Sequence, residues 1–130
     1  MADQTVTEPI LSWHWLTENR RMQFGRRPKV QTGETYRVTG HISLCKRGLH
    51  ASRRALDALN YAPGPIVCRV ELSGQVLEDD DKLCATERRG LWMADGTRTL
   101  HEFACWCAAE ALEGERKAGR EPDIRCWQAV

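Results

Sequence analysis

The clearest pattern of apolar and polar positions covers residues 66–72. Apolar side chains occupy every second position in this segment, namely Ile66, Cys68, Val70 and Leu72. A period of two is typical of a β-strand, whose successive side chains point to opposite faces. Val67 adds an apolar residue to the other face, so we predict a central strand with both faces largely covered.

Shorter patterns predict further extended segments on both sides of this strand. We place them at residues 10–16, 35–38, 41–44 and 82–92. Gly74 and the acidic run at 78–81 predict a turn between the central strand and the last of these segments.

Two segments have helical signals. Residues 53–61 follow Ser52, a favourable N-cap residue, and end before Pro63. Residues 98–117 follow Thr97, a second predicted cap. Their apolar residues recur at intervals of three and four, which predicts one core-facing stripe made of Leu100, Phe103, Ala104, Cys107, Ala108 and Ala111. Asp123 is predicted to cap a final helical turn that carries Trp127.

The order of these elements predicts an α+β fold, with a small mixed sheet and two main helices packed on it. A length of 130 residues favours one domain, which we assign to residues 1–130. Residues 1–9 are predicted to be a ragged start. Residues 17–33 are polar and basic and are predicted to form a long exposed loop.

Charge and hydropathy exclude several classes of function. The chain has 19 basic and 18 acidic residues, for a net charge of +1, which argues against direct nucleic-acid binding. No apolar run approaches the roughly 20 residues of a membrane span, and the N-terminus has no signal-peptide pattern. We therefore predict a cytoplasmic protein without a membrane partner.

The six cysteines contain no Cys-x-x-Cys pair. In a reducing compartment we expect most of them to be small buried apolar residues. The run Asp79, Asp80 and Asp81 lacks the spaced ligands of a calcium loop and is expected to be a solvated loop tip. No metal and no cofactor are predicted for the simplest interpretation of the chain.

His50 is the histidine with the strongest local context. It precedes the predicted helix at 53–61, where backbone amides could bind an anion beside the imidazole. The alternative is a histidine that only satisfies backbone groups of its loop. His14 lies between Trp13 and Trp15 on a predicted strand, so it points to the face opposite both tryptophans.

A binding surface can be assembled from exposed charged and aromatic residues. Five tryptophans are many for this length, and we expect some to be exposed, as aromatic anchors are at protein interfaces. The candidate binding residues are Arg20, Arg21, Arg26, Arg27, Lys29, His50, Asp79, Asp80, Asp81 and Trp92.

Three motifs resemble an uncharacterised family of bacteriophage and prophage proteins. They are Cys-x-x-Gly-Leu-His-Ala-Ser at 45–52, Ala-Leu-Asn-Tyr-Ala-Pro-Gly at 58–64 and Cys-Arg-Val-Glu-Leu at 68–72. This resemblance implies a phage-borne accessory protein that acts in the bacterial host.

The Gly-Leu-His-Ala-Ser and Ala-Leu-Asn-Tyr segments also resemble the NAD-binding segments of ADP-ribosyltransferases. By that resemblance His14 would hold the ribose, His50 would replace a stacking tyrosine and Tyr61 would line the nicotinamide pocket. Glu87 would stabilise the oxocarbenium-like transition state. The Gly-Ser that follows the histidine in that family is Trp15-Leu16 in this chain.

Two functions are therefore carried forward. The first is a phage-derived protein that binds and inhibits a host macromolecule, a protein or ribonucleoprotein defence complex, in the manner of an anti-CRISPR protein. The alternative is an ADP-ribosyltransferase-like enzyme that uses NAD to modify a host target. The first requires no catalytic set, and the second requires the histidines, Tyr61 and Glu87 to converge.

Overall fold

An antiparallel β-sheet forms most of the first of two units in the chain. The computed structural model describes residues 2–22 and 29–130, and the units are Met1–Asp95 and Gly96–Val130. Strands and helices are both present and largely segregated, so the predicted α+β class is confirmed. The assignment of residues 1–130 to a single domain stays a prediction.

Five strands build the sheet. They are β1 (Ala2–Leu16), β2 (Thr35–Arg37), β3 (Leu49–Ala51), β4 (Ile66–Glu78) and β5 (Leu83–Asp95). Their order is β1-β4-β5-β2, and β3 also pairs with β5. Every pairing of these strands is antiparallel, so the predicted mixed sheet is wrong. The link between β4 and β5, residues 79–82, permits a hairpin but is far too short for a parallel crossover.

The hairpin of β4 and β5 is the centre of the sheet. The alternation predicted for residues 66–72 is confirmed. Ile66, Cys68, Val70 and Leu72 are buried, and the residues between them are half-buried. Gly74 is not the predicted turn, since β4 continues past it to Glu78. It lies in a register shift between Ser73 and Val76 and has φ of +77°, a conformation that glycine adopts without steric cost.

Strand β1 begins much earlier than its sequence predicts. Residues 2–9 belong to β1 and pair with β4, so the predicted ragged start is wrong. Most residues of this segment are polar, and the sequence has no apolar alternation there; Val6 alone among them packs against the main core in the part of the chain that the structure describes. A register shift lies between Val6 and Ile10, and Pro9, which has no N–H to donate, lies within it.

A short backbone ladder closes one end of the sheet. Trp13 N–H donates to Ser52 O at 2.7 Å, and Ser52 N–H donates to Trp13 O at 2.9 Å. Ser52 directly follows β3, and β3 pairs with β5. The strands β1, β4, β5 and β3 therefore form a closed ring at this end, with residues 49–51 as strand and not as the predicted loop.

The main core lies on one face of this ring. Its buried residues are Leu16, Ala51, Ile66, Cys68, Val70, Leu72, Val76, Leu83 and Ala85. A smaller cluster joins Ile42, Leu77 and Cys84. Residues 41–44 form no strand and contribute only an isolated bridge between Ser43 and Arg47.

Helix α1 (Ala55–Leu59) is shorter than the predicted segment at 53–61. Arg54 is its N-cap and makes no side-chain capping bond. Ser52 is not the cap, because its backbone pairs with β1 and its hydroxyl donates to Asp81 O at 2.7 Å. The helix contacts β1.

The second unit contains α2 (Thr97–Lys117) and α3 (Ile124–Gln128). The extent of α2 agrees with the prediction, but its N-cap is Gly96, without a side-chain bond. No residue of α2 is buried, and Phe103 stacks on Trp106 with ring centroids 6.2 Å apart. The predicted core-facing stripe is therefore not buried in this chain.

The end of the second unit agrees with its prediction. Asp123 caps α3 by accepting from Arg125 N–H at 2.9 Å. The guanidinium of Arg116 lies 4.3 Å from the ring centre of Trp127. This contact holds α3 against α2.

Four of the six cysteines are exposed, and only Cys68 and Cys84 are buried. The prediction that most are buried is wrong, because three of the exposed thiols lie at residues 105–126 in a unit whose helices have no buried residue. Among the described residues, no helix has both the length and the apolar character needed to cross a lipid bilayer.

Candidate functional site

A pocket of about 450 Å³ lies at the closed end of the sheet, and we call it the β3 pocket. Its described lining comes from β1, β3, β5, α1 and the segments that connect them. The lining residues are Trp13, His14, Trp15, Met22, Cys45, Lys46, Gly48, Leu49, His50, Ala51, Ser52, Ala58, Tyr61, Pro63, Lys82 and Arg88. A volume of this size lies within the usual range of small-molecule sites.

Arg88 is the buried charge of the β3 pocket. Arg88 is 4% exposed, and its Nη1 donates to His50 O at 2.7 Å. Its Nη2 is buried and has no hydrogen-bond partner among the described residues. Burial lowers the pKa of Arg88 to about 10, which leaves the guanidinium charged at neutral pH.

His14 lies on the same face of the sheet as the main core. It pairs with Cys68 across β1 and β4, and directly paired residues of an antiparallel ladder point to the same side. Its Nε2 is buried without a partner among the described residues. Burial lowers the pKa of His14 well below its usual value, and the charge of Arg88 lowers it further, so the imidazole is neutral at pH 7.

His50 is held by the backbone of its own segment. Cys45 N–H donates to its Nε2 at 2.9 Å, while its carbonyl accepts from Arg88. Burial is the main cause that lowers the pKa of His50, and the charges of Arg88 and Lys82 act in the same direction. Of the two interpretations of His50, the contacts match the histidine that satisfies loop backbone groups. It lies in β3 and not at the start of a helix.

Tyr61 forms part of the exposed rim of the β3 pocket. It is 46% exposed, and its hydroxyl donates to Asp81 Oδ2 at 2.5 Å. This hydrogen bond is the main cause that raises the pKa of Tyr61. The ammonium of Lys82 lies 5.2 Å from the centre of its ring, so an aromatic face and a cation are adjacent at the rim.

The structure brings His14, His50 and Tyr61 together but places Glu87 elsewhere. Glu87 does not line the β3 pocket. Its carboxylate accepts from Arg37 Nε at 3.3 Å and from Ser73 Oγ at 3.0 Å. Neighbouring residues of a strand point to opposite faces, which separates Glu87 from Arg88.

The candidate binding residues outside the pocket lie on three separate segments of the chain. Arg20 and Lys29 are exposed and Arg21 is half-buried, while Arg26 and Arg27 lie outside the described residues. Asp79 and Asp80 are exposed at the tip of the β4–β5 hairpin. Asp81 accepts hydrogen bonds from the hydroxyl of Tyr61 at its carboxylate and from the hydroxyl of Ser52 at its carbonyl.

Trp92 is 46% exposed, as expected for one of the tryptophans. Its ring meets Trp13 edge to face with centroids 5.8 Å apart. The guanidinium of Arg69 covers Trp13 at 4.2 Å from the ring centre. These three side chains form a contiguous row on one side of the sheet.

Sequence reasoning missed Arg88, which carries the main charge of the β3 pocket. Arg88 lies in the run Glu87-Arg88-Arg89, where nothing in the sequence distinguishes a buried arginine from its exposed neighbour. Its burial follows from the register that pairs it with Leu72 of β4. No local signal in the sequence could have supplied that register.

Within residues 2–22 and 29–130, no three His, Cys, Asp or Glu side chains come together as a group that could hold a metal ion.

The fold and the pocket define a small antiparallel α+β domain with a cationic cleft. The chain belongs to the family described as Domain of unknown function (DUF7666), whose model matches residues 16–102. No curated protein and no solved structure matches this chain.

Proposed function

We propose that the chain binds a phosphate-bearing nucleotide in the β3 pocket, and NAD is the first ligand to test. The charge of the lining carries this proposal. Lys46, Lys82 and Arg88 line the pocket, and no Asp or Glu does so among the described residues. A concave surface of one charge sign concentrates ligands of the opposite sign.

The aromatic lining supports a nucleotide over a simple anion. Trp13, Trp15 and Tyr61 line the pocket together with the cations. Stacking of a base on an aromatic side chain contributes about 1–3 kcal/mol. Tyr61, exposed at the rim beside Lys82, offers such a face.

The position of Glu87 favours binding over transfer of ADP-ribose. Stabilising an oxocarbenium-like transition state requires a carboxylate close to the scissile bond. The carboxylate of Glu87 is engaged by Arg37 and Ser73 outside the pocket. We therefore propose NAD as a ligand and propose no transfer step.

Isothermal titration calorimetry of the full chain tests the proposal, with NAD, ADP-ribose and ATP as ligands. We expect binding at micromolar concentration and a loss of about 10-fold or more in Tyr61→Leu, from the lost stacking. Phe103→Leu is the control, because Phe103 is an exposed aromatic residue of the other unit and does not line the pocket. Absence of binding by all three nucleotides at millimolar concentration would contradict the proposal.

A second candidate is the inhibitor of a host defence complex, acting in the bacterial cytoplasm after phage delivery. Exposed Trp92 and Leu11, at 46% and 48% exposure, favour it. Leu11 and Trp13 share a face of β1, and Trp92 contacts Trp13, so the apolar residues are neighbours. Aromatic anchors of this kind often dominate protein interfaces.

This second function predicts that the chain inhibits a purified CRISPR effector and that Trp92→Ala relieves the inhibition. Trp106→Ala is the control, because Trp106 is an exposed tryptophan in the other unit. Equal inhibition by both variants, or none by the unmodified chain, would reject Trp92 as the anchor on a CRISPR target.

A further inference from the structure

Arg88 is a buried cation. Among the described residues, no carboxylate forms an ion pair with it. Its Nη1 donates to a backbone carbonyl, and within residues 2–22 and 29–130 its Nη2 has no hydrogen-bond partner. Removing a charge from water costs free energy that is recovered only with an opposite charge and satisfied hydrogen bonds.

The groups that could supply a negative charge beside Arg88 are held neutral. They are the thiols of Cys68 and Cys84 and the hydroxyl of Tyr36. Burial raises the pKa of both thiols to about 11, and burial is the main cause that raises the pKa of Tyr36. At neutral pH, none of these three side chains can serve as the missing anion.

His14 supplies a second unsatisfied polar atom to the same pocket. Its Nε2 is buried and has no partner in the described part of the chain, and the imidazole interacts electrostatically with Arg88. A neutral imidazole can donate through one nitrogen. Trp15, a third lining residue, has a buried Nε1 that is also without a partner among the described residues. Three such nitrogens around one pocket are rare in folded proteins unless a ligand or water satisfies them.

We infer that the floor of the β3 pocket is an oxyanion site, where a phosphoryl group binds between Nη2 of Arg88 and Nε2 of His14. The inference rests on the proposed function and adds the ligand's orientation. The phosphoryl group faces inward, and the remainder of the nucleotide extends toward Tyr61 and Lys82. A fork of guanidinium donors suits the tetrahedral oxygens of a phosphate.

Inorganic phosphate is the smallest probe of this site. The full chain is heated in sodium phosphate and in sodium chloride of equal ionic strength at pH 7.5. A ligand that binds only the folded state stabilises it by RT ln(1 + [L]/Kd), so we expect a rise of about 5 °C or more in the melting temperature at phosphate concentrations well above Kd. The rise should grow with the logarithm of the phosphate concentration. Phosphate should also compete with NAD in calorimetry.

Arg88→Met is the decisive variant. It removes the charge and the guanidinium donors and keeps an unbranched side chain, so the phosphate response should disappear. The substitution removes the desolvation cost of a buried charge but also the hydrogen bond from Nη1 to His50 O, so this variant should melt in chloride within a few degrees of the unmodified chain. Arg69→Met is the matched control, because Arg69 also has a buried unpartnered nitrogen but does not line the pocket.

His14→Leu keeps the guanidinium and serves if Arg88→Met does not fold. It should weaken phosphate binding about 10-fold, as expected for the loss of one hydrogen bond to a charged group. An unmodified chain that shows no phosphate response, or the same response in Arg88→Met and Arg69→Met, would overturn the inference.

The two proposals fail in different ways. Nucleotide binding without a phosphate response leaves the proposed function standing and removes the oxyanion floor. A phosphate response that depends on Arg88, without binding of any nucleotide, supports the floor and removes the proposed nucleotide.

Discussion

At the scale of residues, histidine burial links the β3 pocket to the stability of the fold. His50 accepts a hydrogen bond from Cys45 N–H, which only the neutral imidazole can do at that nitrogen. His14 is likewise held neutral by burial and by Arg88. Both histidines have pKa values below their unfolded value of 6.5, so the unfolded chain binds more protons than the folded chain in this range.

Stability should therefore decrease as the pH falls below about 6.5. We expect the free energy of unfolding to fall by up to about 1.4 kcal/mol per histidine for each pH unit below that value, until the folded pKa is reached. The carboxyl groups of Glu78 and Glu115 have pKa values that their arginine partners lower from 4.5. They therefore do not contribute to the pH dependence of stability near pH 6. Urea unfolding at several pH values between about 7.5 and 5.5 measures this slope.

His50→Gln and His14→Gln should each flatten the slope. His41→Gln is the control, because His41 is exposed. An unchanged slope in both pocket variants would show that these histidines are not the source of the acid sensitivity.

At the scale of elements, the sequence predicts those strands in which buried apolar residues alternate with more exposed ones. The segment at 66–72 alternates strictly, and it forms the first half of β4. Residues 2–9 of β1 and residues 49–51 of β3 have no such pattern, and their strand conformation depends on backbone pairing with partners far along the chain. The intervals of three and four and the predicted cap at Thr97 indicate the helix at 98–117. They do not identify the surface against which its apolar stripe would pack.

The candidate site divides in the same way. The sequence alone identifies His50 and Tyr61 as candidate site residues, and both residues line the pocket. Arg88 and the remote position of Glu87 depend on the register of β5 against β4. A difference of one residue in that register would exchange the faces of these two side chains.

The approach of β3 to β5 depends on the absence of a side chain at Gly48. Its φ is +135°, and a Cβ there would overlap Cys84 Sγ. We expect Gly48→Ala to destabilise the fold by about 3 kcal/mol, from backbone strain and from the overlap together. Thermal and urea unfolding followed by circular dichroism measure the effect.

Gly114→Ala is the control for that substitution. Gly114 lies within α2, and a Cβ there meets nothing within 4 Å. Alanine is favoured over glycine in a helix by about 0.5–1 kcal/mol, so this variant should not be destabilised. Equal stability of Gly48→Ala and the unmodified chain would disprove the close approach.

At the scale of the whole molecule, the β3 pocket belongs to the first unit alone. All of its lining residues lie between Trp13 and Arg88, and the first unit ends at Asp95. The match to the family begins at residue 16 and ends at residue 102, so it includes most of the lining but not Trp13, His14 and Trp15. Most of the pocket therefore lies in the part of the chain that the family model matches.

A chain ended after Asp95 should retain the β3 pocket. We expect its melting temperature to rise in phosphate by an amount within a few degrees of that for the full chain, since the same residues bind the ion. Calorimetric melts of both chains in phosphate and in chloride provide the comparison. A truncated chain that folds but does not respond would show that residues 96–130 contribute to the site.

The interruption of β1 at Pro9 has a consequence for self-association. Beyond its pairing with β4, β1 pairs among the described residues only at Trp13, so most of its outer backbone is open to a strand of another molecule. Pro9 lies near the middle of this strand, within the register shift between Val6 and Ile10, and a proline disfavours regular strand pairing at that point. Pro9→Val should promote concentration-dependent oligomers in sedimentation velocity, whereas Pro122→Val, outside the sheet, should sediment as the unmodified chain does. Identical sedimentation of both variants at every concentration would mean that Pro9 does not act as a gatekeeper against intermolecular strand pairing.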